Sequence, residues 1–395
     1  IRARLEPECD TVPVAGPRYG SMVKREKSMK REAAKPRTIV MPKPAARWYE
    51  GGRLSALGKA LRASTASVLD GKWHRFFYAS GREASDCAAY LAEAFTRAKA
   101  ATGAAVVVKL DVKSFDASVS PAVMTQIGEW HARHGGADRG YMRARVNAGV
   151  KINARGGEPV GHVSVSGQVR SGMQDTSSAD TVVSWALADA AATATGARLF
   201  AVLANGDDAV LVLGAGADWS AMDRVYADFG FETEAQAGPE LGPWVDFCSC
   251  MLQTVGEFDG PWGPCGLTFS PLPGRVLARN GALVDPERVG KHQRAWLRGL
   301  ALSSTSWDSS PVLRPLRLRY LAETAGVEPR WPRHEEYRME FRRHLSANHD
   351  SWLDVLERYD MDGPSLLQGL EALSAAPLGT LISEPALSEL ARQDA

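Results

Sequence analysis

The stretches AAVVVKLD (104–111) and ARLFAVLANGDDAVLVLG (197–214) decide the fold. The first is a short apolar run that ends on a carboxylate, Asp111, and it reads as a buried strand. The second holds two apolar runs around Asn205-Gly206-Asp207-Asp208, and a tight polar turn between such runs predicts a β-hairpin. A carboxylate leaving a strand and carboxylates on a hairpin turn converge if the strands neighbour one another in one sheet. Packed like charges raise each other's pKa unless cations neutralise them. Hard oxygen ligands suit Mg²⁺ or Mn²⁺. Taken alone, a Gly-Asp-Asp is also a common hairpin turn, and an Asp closing a strand a common cap.

Between the two stretches lies GQVRSGMQDTSSADT (167–181). Ser171-Gly172 supplies backbone able to approach a ligand closely. Asp175 stands where an N-cap belongs, and Thr176 opens a helix expected to run to about 194. Thr176 and Asp180 are four apart and share a helical face, where a hydroxyl and a carboxylate can read a sugar hydroxyl.

Further outward, residues 1–53 are Pro-rich and basic and read as loops with short strands. Helices are expected over 82–101, 121–134, 218–229, 286–303, 311–325 and 333–347. Short strands are expected at 231–236 and 244–253, with Gly-rich loops and strands from 135 to about 170. No internal repeat is visible. Mixed helix and short antiparallel strand with a helical end is an α+β pattern.

The 395 residues are 45% apolar and 24% charged, which excludes a disordered or fibrous chain. No run approaches the roughly 18 apolar residues of a membrane span, and no amino-terminal stretch shows the charged, apolar and small-residue zones of a signal peptide. Five cysteines are too few and odd in number for a disulfide scaffold. The chain begins at Ile1, which reads as a fragment or a processed product. Net charge is +1, but its distribution is uneven. Arg18–Arg53 carries eleven Lys/Arg against three Asp/Glu, and 201–270 carries eleven acids against Arg224 alone. From 271 to 345 fourteen basic residues face eight acidic ones. Alternating blocks of this kind point to a polyanion-handling surface beside an acidic pocket.

In this order KLDVKSFDASVS, SGMQDTSSADT and NGDD resemble the three central palm motifs of viral RNA-dependent RNA polymerases. Upstream, VKREKSMKREAAKPRTIVMPKP resembles the basic fingers motif of that family, and with RWYEGGRLSALGKAL is most like the tombusvirus- and nodavirus-related positive-strand branch. Residues 218–236 occupy the place of the fourth palm motif, and WVDFCSCML resembles the hairpin that grips a primer strand.

The resemblance implies a right-hand α+β fold with fingers, an antiparallel-sheet palm and a mainly helical thumb. Its divisions would be fingers over 1–103, palm over 104–135, a fingers insertion over 136–165, palm again over 166–253, and thumb with C-terminal helices over 254–395. It implies RNA synthesis from NTPs by two-metal nucleotidyl transfer, replicating a viral RNA genome in the host cytoplasm. Asp111 and Asp207, supported by Asp208, would ligate two Mg²⁺ or Mn²⁺ ions. Asp116 would sense the ribose 2′-hydroxyl, with Ser171, Gly172, Thr176 and Asp180 around it. Lys24, Lys27, Lys35 and Arg37 would contact the triphosphate in the nucleotide channel. Partners would be the RNA template and product strand, NTPs and other viral replication proteins, with no membrane anchor in this chain. Two positions depart from the family. Asp180 stands where Asn is usual, and an ionised Asp cannot donate a hydrogen bond as Asn does. The fourth motif usually supplies a Lys as general acid, yet no Lys occurs between Lys151 and Lys291. A reverse transcriptase, a non-catalytic RNA-binding relative of the palm and a metal-dependent phosphohydrolase are the alternative readings.

Overall fold

The computed structural model describes residues 19–23, 38–65, 73–153, 158–279, 292–330, 343–377 and 382–394. They divide into two compact units. The first takes in the described residues up to Gly81 together with Ala94–Glu240, and the second Arg82–Glu93 and everything from Leu241 onward. The architecture is mixed, with helices and largely antiparallel sheets.

The first unit is built on a five-stranded sheet of order β3-β7-β8-β4-β9, formed by Phe76–Tyr78, Leu199–Asn205, Asp208–Gly214, Ala105–Val112 and Thr233–Gly238. Only β3 and β7 run parallel. Val202, Leu203, Val210, Leu211, Val212 and Leu213 are all fully buried. Successive residues point to opposite faces, so this sheet is covered on both sides, which is why its strands are apolar without alternation. Each such side chain contributes roughly 1.5–3 kcal/mol. A second sheet joins β2 (Thr38–Pro42), β1 (Tyr19–Val23), β5 (Gly149–Asn153) and β6 (Pro159–Ser164).

The helices of this unit are α1 (Pro44–Ser64), the C-terminal part of α2 (Ala84–Thr102), the short α3 (Phe115–Ser118), α4 (Pro121–His134), α5 (Arg139–Val146), α6 (Thr176–Thr195) and α7 (Trp219–Asp228). Ser120 caps α4 by accepting from the Val123 amide, with Pro121 in the first turn, as the sequence implies. Two helices depart from the sequence reading. α1 carries Gly51, Gly52 and Gly58, each costing about 1 kcal/mol of propensity. It forms because Ala46, Tyr49, Glu50, Leu54 and Leu57 make one buried face, and packing outweighs propensity. α5 lies in a region expected to be loop; Asp138 caps it through the Tyr141 amide at 2.7 Å, and Tyr141, Met142 and Val146 are buried.

In the second unit β10 (Asp246–Phe247), β11 (Cys250–Gly260) and β12 (Gly263–Pro271) form an antiparallel sheet. The single strand expected over 244–253 is instead a tight hairpin, because Cys248 and Ser249 adopt left-handed backbone at φ 51° and 62° and reverse the chain. Helices α8 (Pro273–Arg279), α9 (Gln293–Ser303), α10 (Leu313–Glu323), α11 (His349–Tyr359), α12 (Gly363–Ala375) and α13 (Pro385–Gln393) follow. Leu313, Leu316, Val355, Leu366 and Leu390 belong to one apolar cluster among them. Of the helix expected over 333–347, residues 333–342 lie outside the described set, and 343–348 are not helical. Arg343 there pairs with Asp86 at 2.8 Å, Ala347 donates to the Asp308 carbonyl, and Asn348 with Ser351 forms a capping box that starts α11 afresh. No helix among the described residues is long and apolar enough to cross a membrane.

Candidate active site

The register of the five-stranded sheet brings the acids together. Leu110 on β4 faces Ala209 on β8, so Asp111, the next residue, reaches the end of β8 that begins with Asp208. Asn205 pairs with Asp208 across a two-residue loop of Gly206 and Asp207. Gly206 has φ 75°, a conformation that costs Gly little, as the first residue of such a loop requires. On the other side Asp111 pairs across strands with Glu234 of β9. Partial burial, then the negative charge of Asp207 and of Glu234, hold the Asp111 carboxyl above the usual carboxylate range. An acidic group whose neighbours destabilise its ionised form is an electrostatic setting that a cation relieves.

Helix α6 fixes the loop from beneath. Thr181 Oγ1 accepts the Gly206 N–H at 2.8 Å, and Ser184 Oγ donates to the Gly206 carbonyl at 2.8 Å. Ser177 Oγ donates to Asn205 Oδ1 at 3.0 Å and lies 3.1 Å from the Tyr78 hydroxyl of β3. Both backbone polar groups of Gly206 are thereby satisfied inside the protein, which holds the loop in one position.

Asp116 lies on α3, and the buried Asp180 is hydrogen-bonded to its side chain. Burial first, then the charges of Asp116 and Asp207, push the Asp180 carboxyl well above its ordinary range. Two carboxyl groups that share a hydrogen bond need one proton between them, so Asp180 is favoured as the neutral acid. It then donates to Asp116 as an amide would. Its Oδ1 has no hydrogen-bond partner among the described residues.

The Gly172 amide donates to the Val40 carbonyl of β2 at 3.0 Å, and a Cβ on Gly172 would lie 2.7 Å from that oxygen. The close approach at this glycine is therefore to β2. Ser171 beside it is exposed. The Thr176 hydroxyl donates to the carbonyls of Arg170 and Met173, at 3.0 and 3.1 Å. Asp175 occupies the N-cap position, but its side chain makes no capping hydrogen bond to α6 among the described residues. It is fully buried, and against that burial Arg145 holds its carboxyl below the usual range, through an ion pair of 2.8 Å. Lys24, Lys27, Lys35 and Arg37 lie outside the described residues.

Sequence reasoning missed Glu234, Thr181, Ser184 and Arg145. Thr181 and Ser184 extend the helical face of Ser177 by four and seven residues, a spacing visible in the sequence. The other two act only through long-range contacts. Lys113, just after β4, contacts Glu232 and lies 3.2 Å from Glu234, so a lysine from elsewhere stands beside the lysine-poor segment 218–236. A cavity of about 720 Å³ opens elsewhere in the first unit, between Trp73, Phe76, Trp185 and Phe200, and none of the acids lines it.

A sequence model described as viral RNA-dependent RNA polymerase matches residues 21–261, from β1 to the end of β11. The chain belongs to that family. It is an RNA-directed RNA polymerase, and its substrates are accordingly an RNA template and NTPs. No curated protein sequence matches the chain. The match spans Asp111, Asp116, Asp175, Asp180, Asp207, Asp208 and Glu234 of the polymerase. Among the described residues no group of three or more His, Cys, Asp or Glu side chains is arranged as a metal site.

Proposed function

We propose that this polymerase extends RNA by two-metal nucleotidyl transfer in the replication of a viral RNA genome, in the host cytoplasm and alongside other viral replication proteins. The observation that carries this reading is the approach of Asp111 to Asp207, close enough for the charge of Asp207 to act on the Asp111 carboxyl. All-oxygen donors at the open end of a sheet fit Mg²⁺ or Mn²⁺, which bind carboxylates and substrate phosphates together. Asp111 and Asp207 would hold the ions with Asp208 in support. Such ions supply charge stabilisation to both the attacking and the leaving oxygens of an in-line displacement at phosphorus.

The chain's own residues do the remaining work. Asp116, oriented by its hydrogen bond from Asp180, accepts a hydrogen bond from the ribose 2′-hydroxyl. Ser171, Gly172 and Thr176 shape the backbone beside it. The basic residues Lys24, Lys27, Lys35 and Arg37 neutralise the triphosphate as its charge shifts during transfer. The same reading takes 1–103 and 136–165 as fingers, 104–135 and 166–253 as palm, and the helical 254–395 as thumb and C-terminal helices.

The test is metal-dependent incorporation on a short RNA hairpin by wild type, Asp111→Ala and Asp207→Ala. The expected result is Mg²⁺- or Mn²⁺-dependent NTP incorporation that both substitutions abolish while RNA affinity persists. Unchanged synthesis in Asp207→Ala, or a wild-type preference for dNTPs, would overturn the reading.

A further inference from the structure

Arg145 of α5 holds both ends of the loop 170–175. Its carbonyl accepts from Arg170 Nη1 at 2.9 Å, and its Nη2 donates to Asp175 Oδ1 at 2.8 Å. Arg145 and Asp175 are each completely buried. Glu50 Oε1 lies 3.5 Å from Arg145 Nε and receives the Tyr141 hydroxyl at 2.9 Å. Arg170 also donates to the Ala148 carbonyl at 3.1 Å. His131 Nε2 lies 3.3 Å from Asp175 Oδ2, and burial pushes that imidazole down to about 4, so it counts as neutral. Arg145 thus faces two carboxyl groups, Glu50 and Asp175, while Arg170 donates to backbone carbonyls; burial holds the Glu50 carboxyl above its usual range. A buried set of this kind adds little stability over apolar replacements; its distinctive property is a fixed geometry.

That geometry is imposed on one segment. Between the clamped ends lie Ser171 and Gly172, the latter bonded to Val40. At the far end Thr176 bonds back to the Arg170 carbonyl and opens α6, the helix that carries Asp180 and the two hydroxyls beneath the Gly206 loop. A shift of Arg145 therefore moves the loop and the first turn of α6 together.

We propose that Arg145 is a positioning residue for nucleotide selection, clamping the 170–175 loop at both ends so that the face of α6 that reads the ribose is presented in one place. The inference rests on the ribose-reading role proposed above for that loop. Arg145 does not touch the substrate; it acts through Asp175 and Arg170.

The experiment compares wild type with Arg145→Lys, Arg145→Met, Asp175→Asn and Glu50→Gln, measuring KM and kcat for NTP and dNTP incorporation with thermal denaturation alongside. Arg145→Met should raise KM for NTPs and lower the NTP-to-dNTP preference, each by about tenfold, the size of a lost charge-assisted hydrogen bond. kcat at saturating NTP should stay within about threefold of wild type, since the metal-binding acids are untouched. Asp175→Asn, which keeps the side-chain shape, should reproduce the split if Arg145→Met does not fold. Arg145→Lys should recover part of the preference, because one ammonium reaches Asp175 without the planar fork. Glu50→Gln perturbs the same buried set away from the loop and should lower the melting temperature while leaving the preference intact. Equal loss of preference in Glu50→Gln, or unchanged preference in both Asp175→Asn and Arg145→Met, would overturn the inference. A wild-type chain that incorporates no nucleotide would instead refute the mechanism on which the inference rests.

Discussion

Replacing Thr181 by Val keeps the side-chain volume and deletes the oxygen that accepts the Gly206 N–H at 2.8 Å. Thr181 is fully buried and Gly206 is buried too, so water does not take the place of the hydroxyl. A buried donor left without its acceptor costs about 1–3 kcal/mol. That is a factor of roughly 5–150 in the equilibrium that holds the loop in place. The second anchor, Ser184 Oγ to the Gly206 carbonyl, survives and keeps the loop on the helix. The lower half of the range is therefore expected: a loss of about 1–2 kcal/mol in urea denaturation, with incorporation slowed at least about fivefold. Metal titration of the incorporation rate should show that the acids still bind, at a higher midpoint. Wild-type incorporation together with a stability loss below about 0.5 kcal/mol would refute the reasoning, because the Gly206 amide would then have another partner.

Asp180→Asn should retain NTP incorporation, since an amide donates to Asp116 as the neutral acid does. It should also change the pH dependence of stability: a carboxyl raised by folding stabilises fully below the ordinary carboxylate range and loses that contribution as pH rises through its folded value. Urea midpoints for Asn minus wild type should therefore grow from pH 5 to pH 8, and a constant difference would count against the shared proton. In Gly172→Ala the added Cβ would sit 2.5 Å from Met41 Cγ and 2.7 Å from the Val40 carbonyl. About 1–3 kcal/mol of stability should be lost, with faster hydrogen exchange at the Gly172 amide bonded to Val40. Arg317 pairs with both oxygens of Asp308 and donates to the Ala301 carbonyl at 2.8 Å. Arg317→Met should cost roughly 3–5 kcal/mol in denaturation, because a largely buried carboxylate loses its partner.

Much of the scaffold beneath the site is legible before any fold is known. Residues 105–112 and 199–214 announce strands and a hairpin because a sheet buried on both faces demands unbroken apolar runs around a turn that only polar and glycine residues tolerate. α4 is equally readable, since Ser120-Pro121 is a local start signal. Where tertiary contacts dominate, the reading fails. α1 is glycine-bearing and forms by packing, the reversal at Cys248-Ser249 has no glycine to mark it, and 343–348 is not helical because Arg343 and Ala347 find partners far away in sequence.

Local composition alone determined which acids end strands, where the hairpin turns and which helix begins beside Ser171-Gly172, because these depend on neighbours a few residues apart. Tertiary structure alone decided that Glu234 faces Asp111, that Thr181 and Ser184 hold Gly206, that Asp180 is buried in a hydrogen bond with Asp116, and that Asp175 answers to Arg145 instead of capping its helix. Those pairings span up to 123 residues, Asp111 to Glu234, and are set by strand register and burial. An isolated carboxylate in a sequence carries no sign of the field it will meet once folding removes the water around it.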